Sequence, residues 1–190
     1  MPISHNIQFV VVSIVHFKEI LMLSVYDHQV LRLTEEFYDR YPNPPFTELE
    51  TKESRQYNCL LVQSHYGYFI CIPFRSRVNH KYAFHFKDSA RSRRGKSALD
   101  YSKSVIVNDT VFLDSKPAIV DSDEYSEMMR NMDIIVAEIL KYVDEYVSFC
   151  NNETLRISEE EFARRYRFST LKYFHDILGV NTEMKIYSQM

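Results

Sequence analysis

Apolar positions along the chain follow two regimes, short runs of strand type up to about residue 120 and helical spacing beyond it. Tyr57-Asn58-Cys59-Leu60-Leu61-Val62 and Tyr68-Phe69-Ile70-Cys71-Ile72-Pro73-Phe74 are rich in β-branched and aromatic residues. They flank His65-Tyr66-Gly67, which predicts a β-hairpin. Pro73 has no N–H to give and should mark where the second strand stops pairing normally. A further strand is expected over Ala83 to Phe86, then a polar, basic loop from Lys87 to Lys96. Three more short strands are expected at Ser104 to Val107, Val111 to Leu113 and Ala118 to Val120. Ahead of the hairpin, Tyr26 to Leu33 has mixed polarity. Leu33 to Tyr41 predicts a short helix with Thr34 as N-cap, Glu35 and Glu36 in its first turn, and Pro42, Pro44 and Pro45 ending it.

From Ser122 to about Phe149 the spacing predicts one long helix. Tyr125, Met128, Met129, Met132, Ile135, Ile139, Tyr142, Val143, Tyr146 and Val147 fall on one face, with acids at its start. Ser158-Glu159-Glu160-Glu161 forms a capping box, with Ile157 and Phe162 spaced for a hydrophobic staple, and predicts a helix to about Arg165. Ser169 or Thr170 caps a last helix through Leu178, with Gly179 just past its end. These elements predict an α+β fold: a compact, mostly antiparallel sheet or barrel-like core with packed helices, one of them long. No internal repeat is seen.

A length of 190 residues fits one domain, placed at 22–180 with a tail at 181–190. For Met1 to Leu21 two readings stand, an added strand or a non-native extension translated ahead of a start at Met22. The second is preferred because the pattern becomes regular only after Met22. The apolar run Phe9 to Val15 has no preceding positive region and is far short of the ~18 apolar residues of a membrane span.

Three cysteines, Cys59, Cys71 and Cys150, are widely spaced and set in apolar runs, offering neither a disulfide framework nor a metal knuckle. A reducing cytoplasm suits them. The net charge of −3 hides an asymmetry, because Arg75 to Lys103 holds nine Lys or Arg against two Asp. A basic segment in an acidic chain suits a polyanion, with counterion release supplying affinity; a solvated loop is the plain alternative.

The basic segment opens directly on the end of an apolar strand, at Phe74-Arg75-Ser76-Arg77-Val78-Asn79-His80-Lys81. A strand end is a rigid platform for chemistry. RNA is cleaved when its own 2′-OH attacks the adjacent phosphate, a reaction that asks for a base, an acid and cations near the phosphorane charge, with no metal. Histidine exchanges protons in either direction near neutrality, which recommends His80. Arg75 can grip phosphate oxygens bidentately, and Ser76 can donate to them. Arg55, Lys52 and Lys103 stand just before strands and can bring cations to the same ends, or simply lie over the core. The remaining candidates for RNA contact are Arg77, Lys81, Arg91, Arg93, Arg94 and Lys96. Tyr57, Tyr82 and Tyr101 lie beside basic residues and suit stacked bases, although packing is the commoner role of a tyrosine. The sequence has no Gly-rich phosphate loop, GxSxG or HExxH, and no cofactor is expected.

An ordered set of segments resembles a family: Glu36-Phe37-Tyr38 with Tyr41-Pro42, Arg55-Gln56-Tyr57-Asn58-Cys59-Leu60-Leu61, Phe69 to Ser76, and Ser97-Ala98-Leu99-Asp100-Tyr101-Ser102-Lys103. With the long helix and Tyr166-Arg167-Phe168-Ser169-Thr170-Leu171, it resembles the ToxN/AbiQ superfamily of type III toxin–antitoxin toxins, closest to the CptN-like branch. The resemblance implies a metal-independent endoribonuclease leaving 2′,3′-cyclic phosphate and 5′-OH ends. It also implies a structured repeat RNA antitoxin in the basic groove, assembled with the toxin into a closed complex. The family's polar motif falls on Arg75 and Ser76, and its basic position before the preceding strand on Arg55. The better-known pattern has Thr-Ser and then a Lys; here Arg75 and Val78 stand in those places, and His80 is read as taking over part of the role. Two other readings stay open: a non-catalytic RNA-binding regulator, and an interaction protein whose Arg91 to Lys96 run is only solvated.

Overall fold

The computed structural model describes residues 27–49, 57–153 and 157–181. The readings made for Met1 to Leu21, Lys52, Arg55 and the tail from 182 lie outside the described residues. Six strands form one antiparallel sheet: β1 (Val30–Arg32), β2 (Asn58–Gln63), β3 (Phe69–Arg75), β4 (Ala83–His85), β5 (Ala98–Asp100) and β6 (Val105–Val107). Their order is β1-β2-β3-β5-β4, with β6 also on β3. The helices are α1 (Glu35–Arg40), α2 (Ala90–Gly95), α3 (Ser122–Arg130), α4 (Met132–Cys150), α5 (Glu159–Tyr166) and α6 (His175–Leu178). The protein is therefore α+β. No described helix is long and apolar enough to cross a membrane.

The β2–β3 hairpin is the predicted one, in register from Gln63↔Phe69 to Cys59↔Pro73, with Gly67 at φ +85 in its turn. Both strands bury four consecutive residues, Cys59 to Val62 and Ile70 to Pro73. Continuous burial means that both faces of the strand are covered, which is why these runs are apolar without alternation. At Pro73 the pairing with β2 ends, and Phe74 and Arg75 pair with Leu99 and Ala98 of β5. This change of partner delivers Arg75 to β5.

Val30–Arg32, within the stretch of mixed polarity, is a strand held on β2. Several expectations are corrected. Val111 to Leu113 is not a strand: the Asp109 side chain accepts from Val111 N–H, starting a 3₁₀ turn over Thr110–Phe112. Ala118 to Val120 does not join the sheet as a strand; it is fixed by Ala118 N–H to the Val30 carbonyl and by Asn58 Nδ2 to the Ile119 carbonyl. Thr34 sits at the N-cap of α1, but its hydroxyl donates to the Val111 carbonyl instead of capping.

The long helix is two helices. Asn131 breaks it with φ −116 and ψ 18, its N–H turning back to Met128 and its side chain donating to the Glu127 carbonyl at 2.8 Å. The break resets the apolar face: Met128, Met132, Ile135, Ile139, Tyr142, Val143 and Tyr146 are core, whereas Tyr125 and Met129 are exposed. Ser158 caps α5 through Glu161 N–H, and Ile157 and Phe162 both pack on the core as a staple requires. The last helix divides into a 3₁₀ turn over Thr170–Tyr173, capped by Ser169, and α6, ended by Gly179 at φ +67. Cys59, Cys71 and Cys150 are all buried.

Candidate functional site

At the far end of β3 the chain collects the polar residues that its interior excludes. Asp100, the last residue of β5, is fully buried and is the hub. Its Oδ2 accepts from Arg75 Nη1 at 2.6 Å. Its Oδ1 accepts from Ser102 Oγ at 2.7 Å and Ser102 N–H at 3.0 Å, and faces His80 Nε2 at 3.4 Å. Burial alone would raise the Asp100 carboxyl, but His80, Ser102 and Arg75 together hold it below the ordinary carboxylate range. An ionised group at this depth requires such partners.

His80 Nε2 also lies 3.5 Å from Ser102 Oγ, and His80 Nδ1 is buried without a hydrogen-bond partner. His85 Nε2 meets the His80 carbonyl at 2.8 Å, which fixes that nitrogen as the protonated one. The arrangement is not a nucleophilic triad, because serine and histidine converge on one carboxylate oxygen, whereas a triad runs serine to histidine to acid. Both contacts of His80 are longer than the usual 2.7–3.2 Å.

A second buried carboxylate holds a second arginine. Glu124 on α3 is fully buried, accepting from Ser89 Oγ at 3.2 Å and Arg91 Nη1 at 3.1 Å. Arg91 then reaches Ser76 Oγ through Nε at 3.1 Å and Nη2 at 2.8 Å. Glu127, one helical turn on, accepts the N–H groups of Lys87 and Asp88 at 3.0 to 3.1 Å. Residues 90–95, expected as loop, form α2 because Ser89 caps it, its hydroxyl accepting from Ser92 N–H.

Arg77 and Lys96 both adopt left-handed backbone, at φ 61 and 48. They adjoin each other, Arg77 N–H bonding the Gly95 carbonyl and Val78 N–H the Lys96 carbonyl. A left-handed conformation costs a non-glycine residue roughly 1–2 kcal/mol. It is held here by those two bonds. Arg77, Lys81, Lys87, Arg93, Arg94 and Lys96 are all exposed, giving the cluster a cationic rim.

Of the residues singled out from sequence, Arg75 and His80 meet at Asp100, and Ser76, next in the chain after Arg75, is held by Arg91, with Arg77 and Lys96 adjoining. Lys103 Nζ donates to the Phe168 carbonyl at 2.8 Å. Tyr101 is a correction: it is 3% exposed, its hydroxyl bonds Glu138 at 2.8 Å, and its ring cannot receive a base. Burial and the Glu138 carboxylate both push that phenol well up. Tyr57 is half-buried against the core, its N–H bonded to the Tyr38 hydroxyl. Tyr82 has the cations of Lys81 and Arg165 at 5.5 and 5.4 Å from its ring centre.

Sequence reasoning missed Asp100, Ser102, Glu124 and Glu127 as site residues. A sign for Asp100 existed: an acid between Leu99 and Tyr101 in an apolar run, inside the basic segment, is buried against one of those cations. Among the described residues no three His, Cys, Asp or Glu side chains gather as a metal site requires. The chain matches no family model, no curated protein and no solved structure.

Proposed function

We propose that the protein is an endoribonuclease that cleaves by attack of the RNA 2′-OH on the neighbouring phosphate, leaving a 2′,3′-cyclic phosphate and a 5′-OH. The observation that carries this reading is the meeting of Arg75, His80 and the Ser76–Arg91 pair at one strand end, each arginine fixed on a buried carboxylate, inside a cationic rim. Fixed cations stabilise the charge that develops on a phosphorane without reorganising during the reaction. In this mechanism the phosphate lies against Arg91 and Ser76, Arg75 adds charge from the Asp100 side, and His80 transfers a proton. The rim supplies sequence-independent affinity. No step calls on a metal.

By the resemblance to the ToxN/AbiQ toxins, the regulator is a structured repeat RNA that fills the same basic surface and assembles with the protein into a closed complex. The role is then growth control or phage defence in the cytoplasm, whose reducing conditions suit three buried cysteines.

The test is incubation of the purified protein with mixed RNA in excess EDTA, with analysis of the new ends. Cyclic phosphate ends are expected, and they should disappear with His80→Ala while the variant keeps its melting temperature to within a few degrees. Full cleavage by His80→Ala would refute the role given to His80. RNA bound with strong salt dependence yet left whole would establish a non-catalytic regulator instead, a reading favoured by the inward direction of both His80 nitrogens.

A further inference from the structure

Of the three tyrosines expected to stack, Tyr101 is buried and Tyr57 and Tyr82 are half-buried, while a different aromatic is exposed. Phe168 is 61% exposed. Isolated exposed apolar side chains are ordinary, but Phe168 is held in place from beneath. Its carbonyl accepts from Lys103 Nζ at 2.8 Å, its neighbour Ser169 is fully buried with its N–H on the Tyr166 carbonyl, and Thr170 Oγ1 donates to the Ser104 carbonyl with the Ser102 carbonyl at 3.3 Å. Ser102 is the residue that bonds Asp100 and faces His80. The 166–170 turn is thus pinned to the turn that follows the hub. Arg167 lays its guanidinium 5.1 Å from the Phe168 ring centre, so a cation accompanies the exposed face.

We propose that Phe168, with Arg167, is the stacking platform for one unpaired nucleobase of an RNA strand whose phosphate lies at the Arg75–Arg91 cluster, an inference that rests on the RNA reading above. A rigid exposed ring beside a phosphate-binding cation is the combination that single-stranded RNA uses, because every base has a π-face. Lys103 belongs to this platform as a positioning residue: it fixes the Phe168 backbone.

The chain contains no tryptophan, so Phe168→Trp places a single fluorescent reporter on the platform. The probe is a 2′-O-methyl oligoadenylate, which presents bases and phosphates but lacks the attacking hydroxyl and stays whole. Its binding should quench the tryptophan, and inorganic polyphosphate, which has charge without bases, should not. Phe168→Ala should weaken oligonucleotide binding about 5- to 150-fold, the range for one stacked base. The slope of affinity against salt should be unchanged because no charge is removed. Affinity unaltered in Phe168→Ala, no quenching by the oligonucleotide, or equal quenching by polyphosphate would overturn the assignment. RNA cleavage without quenching would sink the platform and leave the nuclease, whereas quenching without cleavage would sink the nuclease and leave the platform.

Discussion

Replacing Asp100 by asparagine keeps the shape of the hub and removes its charge. Arg75, whose side chain is 22% exposed, then has a neutral amide in place of the ionised partner it holds at 2.6 Å. Breaking a fully buried pair costs about 3–5 kcal/mol. Since part of the guanidinium reaches water, we expect about 2–3 kcal/mol here, a large share of a typical ~5–15 kcal/mol domain stability. With a urea slope near ~2 kcal/mol/M, the midpoint should fall by roughly 1–1.5 M. The pair itself is isolated by a double-mutant cycle with Arg75→Met: the double variant should be more stable than the sum of the singles predicts, by about 1–2 kcal/mol. The difference from wild type should also depend on pH. The Asp100 pKa is depressed by folding, so its contribution is complete above the ordinary carboxyl value of 3.8 and disappears as pH falls through the lower folded value. The two midpoints should therefore converge in acid. A loss below about 0.5 kcal/mol, or strict additivity in the cycle, would refute the claim that Asp100 organises this strand end.

Glu127→Ala removes the acceptor of the Lys87 and Asp88 N–H groups and should cost about 1–3 kcal/mol, with faster amide exchange at both residues; protected amides in the variant would show that α3 does not anchor the basic segment. Ser158→Ala deletes the cap of α5 and should lower stability by about 0.5–2 kcal/mol in thermal melting, leaving RNA affinity unaltered.

The sequence alone determined the elements whose causes are local. The hairpin followed from two β-branched runs around Gly67, α5 from Ser158 reaching Glu161 N–H, and the α+β class from the change of apolar period near residue 120. The basic segment and its polar start at Arg75 were equally legible, because charge is a property of residues and not of their arrangement. What the tertiary structure decided are contacts between residues far apart in the chain. Asp100 is a hub because β3 changes partner after Pro73 and brings Arg75 to β5, and three-residue strands such as β5 have no pattern of their own to read. The helix break at Asn131 rests on one side chain bonding the Glu127 carbonyl, against an unbroken apolar spacing that favoured a single helix. Tyr101, expected to stack, is buried and Phe168 is exposed for the same reason. Either ring can pack or stack, and only the fold determines which one the core has room to cover.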